Sequence, residues 1–115
     1  MDSAAIEEHL AGLEGVRMST DGGRATWRVG GRLVARLEDA ETLVVRCLSA
    51  DRERFVAEDP DAFYVTPAVE AHDKVLVHLP KVDDDAVRRA LTAAWGCRSA
   101  DHRRRRPAAP DRSSG

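Results

Sequence analysis

Aromatic residues are scarce in this chain, at 4% of its 115 residues. Trp27, Phe55, Phe63, Tyr64 and Trp95 are the only large rings, so any core rests mainly on Val, Leu and Ala. Cysteine is nearly absent. Cys47 and Cys97 are too few for a disulfide framework, and both read as free thiols. With His9, His72, His78 and His102 they form no zinc-type spacing, and no cofactor is implied. No apolar run reaches the roughly 20 residues of a membrane span. The first residues are acidic rather than basic, unlike a secretory signal. The expected setting is therefore cytoplasmic, with no membrane partner. G-x-S-x-G, G-x-G-x-x-G and phosphate-loop patterns are all missing, so no enzyme class is indicated and no small-molecule ligand is inferred.

The length is that of one domain. The net charge of −2 is unevenly spread. Residues 1–97 carry 12 Lys and Arg against 18 Asp and Glu, whereas 98–115 carry 6 Arg against 2 Asp. An acidic body with a basic end is poorly matched to a broad DNA surface. The expected division is a domain over 1–97 and a disordered basic tail over 98–115.

Ile6, Leu10 and Leu13 give residues 3–13 one helical face, with Ser3 as the expected cap. Two alternating segments follow, 24–29 and 32–37, around Gly30-Gly31, a hairpin signal. Its register has two solutions. A two-residue loop suits the glycine pair. A three-residue loop that includes Arg32 gathers Ala25, Trp27, Val29, Leu33, Ala35 and Leu37 on one face, with Arg24, Arg28 and Arg36 on the other. A one-residue slip flips every side chain, so the two exclude each other. Burying aliphatic side chains, at about 1.5–3 kcal/mol each, favours the second.

A strand over 43–48 comes next, then a short helix capped by Ser49 and ended at Asp59-Pro60. A turn with a short strand somewhere in Asp61 to Pro67 and a loop over 67–73 lead to a strand over 74–79. Val75, Val77 and Leu79 share one of its faces. The last helix opens at Asp83-Asp84-Asp85, carries Val87, Ala90, Leu91, Ala94 and Trp95 as an apolar stripe, and closes at Gly96. The expected fold is α+β, in the order α-β-β-β-α-(β)-β-α. Helices would cover one face of a mainly antiparallel sheet.

Three consecutive carboxylates do not converge on one ion, so the aspartate run reads as a helix cap. The candidate nucleic-acid contacts are Arg24, Arg28, Arg32, Arg36 and Arg46 on the sheet, with Arg103, Arg104, Arg105 and Arg106 in the tail. The competing reading is a solvated face whose arginines pair with Glu38, Asp39 and Glu41.

Five stretches together resemble one family: the first helix ending Leu13-Glu14-Gly15-Val16, the run from Trp27 to Leu37, Phe63 to Pro67, Lys74 to Leu79, and the helix through Leu91 to Trp95. In order and spacing they are similar to the MmcQ/YjbR-like family of small bacterial proteins. The resemblance implies an α+β fold like that of secretion chaperones, a double-wing DNA-binding role, and no catalytic residues. Where relatives carry an aromatic and glycine loop before the late strand, this chain has Val69-Glu70-Ala71-His72-Asp73. The expected function is a non-enzymatic binding module. Its partner would be DNA, bound weakly and without sequence specificity, or an unidentified protein engaged through an exposed sheet or helix face.

Overall fold

The computed structural model describes the backbone of residues 1–105 and the side chains of residues 1–97. The elements are α1 (Ser3–Ala11), β1 (Val16–Asp21), β2 (Arg24–Val29), β3 (Arg32–Leu37), β4 (Thr42–Arg46), α2 (Ser49–Glu58), β5 (Phe63–Tyr64), α3 (Pro67–Glu70), β6 (Lys74–His78) and α4 (Asp84–Arg105). The fold is α+β, with one six-stranded antiparallel sheet in the order β1-β2-β3-β4-β6-β5.

Ile6 and Leu10 of α1, Phe55 of α2, and Val87, Ala90, Leu91 and Ala94 of α4 pack into one cluster with the sheet residues Trp27, Ala35, Leu43, Val45, Val75 and Val77. These three helices therefore cover one face. Phe55 and Phe63 stack with ring centroids 5.1 Å apart. Two contacts tie α4 to the α1 end of the domain. Trp95 donates its indole N–H to the Glu14 carbonyl at 2.7 Å, and His9 Nε2 lies 3.1 Å from Thr92 Oγ1.

Several expectations are corrected. Strand β1 and the one-turn helix α3 were not foreseen. Arg17, Met18 and Ser19 are all exposed, so β1 lacks the alternation that marks a half-buried strand. The cap of α1 is Asp2, whose Oδ1 accepts from Ala5 N at 2.9 Å, not Ser3. Ser49 is the first residue of α2, with Leu48 at the cap position and no side-chain cap bond. Asp83 does cap α4, since its Oδ2 accepts from the amides of Asp85 and Ala86 at 3.1 and 3.3 Å.

Gly96 does not end α4. The helix continues to Arg105, so 98–105 are helical where disorder was expected, and the rest of the expected tail lies outside the described residues. One glycine costs a helix about 1 kcal/mol relative to alanine. The anchored apolar stripe before it offsets that cost.

The hairpin register satisfies both competing demands. Arg28 lies opposite Leu33 and Trp27 opposite Ala35, which leaves Val34 as an extra residue in β3. This is a β-bulge. It keeps the two-residue turn at Gly30-Gly31, with φ of 57° and 80°, and still sets Trp27 and Ala35 on the core side. Val34 is fully buried, whereas Leu33 is only half-buried and stands outside the core cluster, contrary to expectation.

Candidate functional site

Among the described residues, the second face of the sheet carries no long helix. Strand pairing lays one row across all six strands: Ser19, Thr26, Arg36, Val44, Leu76 and Tyr64. Thr26, Val44 and Leu76 are buried despite facing away from the main core. Beside Val44 and Leu76 the segment 66–72, including α3, rises along β6. Together with Arg36, Thr42 and Lys74 it bounds a concavity of about 520 Å³. The floor is Val44 and Leu76, with Tyr64, Thr66, Val69 and His72 on one wall and Glu38 and Asp39 at the opposite rim.

The wall is held in place by two arginines. Arg46 Nη1 donates to the Asp73 carbonyl at 2.8 Å and meets its carboxylate at 3.1 Å. Arg52 Nη1, from α2, donates to the carbonyls of His72 and Lys74 at 2.9 and 3.3 Å. The Cys47 amide also donates to the Asp73 carbonyl, at 2.8 Å.

Each candidate phosphate contact on the sheet can now be placed. Glu38 receives Arg36 through Oε1, at 3.0 Å, and Arg24 through Oε2, at 3.3 Å. Arg28 pairs with Asp21 and donates to Ser19 Oγ. Arg46, at 14% exposed, is committed to Asp73. Arg32 lies opposite Val29 at the hairpin end and has no carboxylate partner among the described residues. Arg103, Arg104 and Arg105 fall on the last turns of α4, about 30 Å along the axis from its start at 1.5 Å per residue. Arg106 lies outside the described residues. The structure thus brings Arg24 and Arg36 together on one carboxylate.

A family model for YjbR matches residues 11–97. The chain belongs to the YjbR family. No curated protein and no solved structure matches it. In this YjbR-family chain, Val69 and His72 of the 69–73 loop form part of the wall of the concavity.

Other chemistry is thinly represented. Burial, with Asp51 nearby, pushes the Cys47 thiol up to about 11, so it is a poor nucleophile near neutrality. No group of three or more His, Cys, Asp or Glu side chains that could hold a metal occurs among the described residues. No described helix is long and apolar enough to cross a membrane. A second concavity, of about 540 Å³, lies on the helix side between the start of α1 and the β1–β2 hairpin. Met18, Trp27 and Leu37 line it, and Asp2, Glu7, Glu38 and Asp39 surround it.

Sequence reasoning missed the concavity, although a signal for it is present. Leu43-Val44-Val45 and Val75-Leu76-Val77 are unbroken apolar runs in adjacent strands. A strand facing water on one side alternates, and a run marks a strand covered on both.

Proposed function

We propose that this YjbR-family chain is a non-enzymatic binding module that receives a polypeptide segment on the open face of its sheet. The observation that carries the reading is that Arg24, Arg28, Arg36 and Arg46 each already hold a carboxylate of their own chain. The face they occupy is mixed in charge, with an apolar floor at Val44 and Leu76. Polypeptides offer apolar side chains for such a floor and both charges for such a rim, whereas a duplex offers a uniform row of anions. Glu38 and Asp39 border both concavities and repel phosphate. The free thiols Cys47 and Cys97 support a cytoplasmic setting.

A photo-reactive side chain in place of Tyr64 tests this in cells, with a matched probe at exposed Glu53 on α2. The expected result is a defined protein adduct from the Tyr64 position, lost when Leu76→Asp is added, and none from Glu53. Adducts to nucleic acid alone, or equal protein adducts from both positions, contradict the reading.

A second, lesser contact is supported by Arg17 and Arg32, which lack a carboxylate partner among the described residues, and by the arginine-rich end of the sequence. Such cations give nucleic acid weak, salt-sensitive, sequence-independent binding.

A further inference from the structure

Strand β1 stands at one end of the sheet and, among the described residues, is paired only to β2. The opposite end, β5, is two residues long, whereas β1 has six. Edge strands are usually blocked against further pairing by proline, a bulge or extreme shortness. β1 contains no proline, and its register with β2 runs unbroken from Val16–Val29 to Asp21–Arg24.

The turn after β1 fixes which backbone groups face outward. Gly22 and Gly23 have φ of 59° and 80°, the conformation of a two-residue hairpin turn, so Asp21 and Arg24 form the hydrogen-bonded pair that closes it. Alternation then directs the amides and carbonyls of Arg17, Ser19 and Asp21 to β2. Those of Met18 and Thr20 point to the open edge, whereas the Val16 amide is taken by the Leu13 carbonyl at 3.4 Å.

The side chains along this edge are self-complementary. Arg17 and Asp21 lie on the same face, two residues either side of Ser19. Arg17 is exposed and has no ion-pair partner among the described residues. Asp21 gives Oδ2 to Arg28, which leaves Oδ1 available.

We propose that β1 pairs antiparallel with β1 of a second copy of this chain, with the two-fold axis at Ser19, joining two sheets into one. In this register Met18 faces Thr20 of the second copy, both with outward backbone groups. Arg17 faces Asp21 of the second copy twice over, at the non-hydrogen-bonded positions where side chains approach most closely. A shift of one residue would set the core face of one copy beside the open face of the other. A shift of two would place Arg17 opposite Ser19 and lose both ion pairs. Exposed Met18, at 48%, then gains a neighbour across the junction.

The test is the mass of the full chain by light scattering over a concentration series, in the wild type, Arg17→Asp, and the double variant Arg17→Asp with Asp21→Arg. Circular dichroism confirms that each retains the fold. The wild type is expected to rise to twice the chain mass. Arg17→Asp sets like charges opposite each other and weakens the dimer roughly tenfold or more. The double variant restores the opposition of charges and recovers association. A wild type that stays monomeric at the highest attainable concentration overturns the proposal. So does an Arg17→Asp dimer of unchanged strength, or a folded double variant no stronger than the single one.

Discussion

Arg46 and Asp73 meet twice, the guanidinium donating to the backbone carbonyl at 2.8 Å and lying 3.1 Å from the carboxylate. This doubled contact fastens the wall of the open-face concavity to β4. Arg52 fastens the same wall to α2. The two arginines therefore act as positioning groups.

Arg46→Met is expected to lower stability by about 1–3 kcal/mol, because it removes a mostly buried charged donor from Asp73. Arg52→Ala should cost less, since other backbone bonds still hold the segment. Both variants should speed amide hydrogen exchange at Cys47 and Lys74 while leaving the hairpin unchanged. Denaturant titration and hydrogen exchange check this. An Arg46→Met protein as stable as wild type would show that the clamp is idle.

The bulge at Val34 gives a sharp contrast between neighbours. Val34→Ala empties a fully buried site and is expected to cost roughly 1–3 kcal/mol. Leu33→Ala, at a half-buried position outside the core cluster, should cost less than about 1 kcal/mol. A hairpin with an unbroken three-residue loop would reverse the order.

At the β3–β4 turn the Glu41 amide donates to Asp39 Oδ1 at 2.8 Å and holds that carboxyl below its ordinary pKa. A depressed folded pKa stabilises above the unfolded value and loses the effect as pH falls through the folded one. Asp39→Ala should therefore be destabilising at neutral pH. The gap to wild type should shrink as the pH drops below the ordinary aspartate range. Thermal melts at several pH values read this directly, and a gap that widened in acid would reverse the assigned sign.

The two cysteines should behave differently toward a thiol reagent. Half-buried Cys97 is expected to react in the native protein, and buried Cys47 only on unfolding. Because burial raises the Cys47 pKa to about 11, its thiol stabilises the fold below its ordinary pKa of 9.0. That contribution is lost as pH climbs through about 11. Equal reaction rates for both thiols in the native state would contradict this placement.

The sequence made the layered α+β plan legible because strong periodicity marks the elements that touch the core. Val87, Ala90, Leu91 and Ala94 recur at helical spacing, and all four are buried. The hairpin was half legible. Gly30-Gly31 demanded one register and Trp27 with Ala35 another, and a bulge at Val34 met both. No rule of alternation announces a bulge. Strand β1 was invisible because an edge strand exposed on both faces needs no alternation. The arginines of the open face could be counted in the sequence, but not their partners. Glu38 takes two of them only because the sheet brings Arg24 beside β3. Asp73 lies 27 residues from Arg46 in the chain.

The open sheet face is proposed as a mixed-charge polypeptide groove, with Arg24, Arg28, Arg36 and Arg46 already paired, rather than a phosphate-reading surface. Amide NMR mapping of the full chain against a mixed-sequence DNA duplex tests it most directly. Any shifts are expected to gather around Arg17, Arg32 and the C-terminal arginines, and to vanish as salt is raised. The amides of Arg36, Thr42, Val44, Lys74 and Leu76 should stay in place. Saturable shifts at those groove residues, persisting in physiological salt, would contradict it.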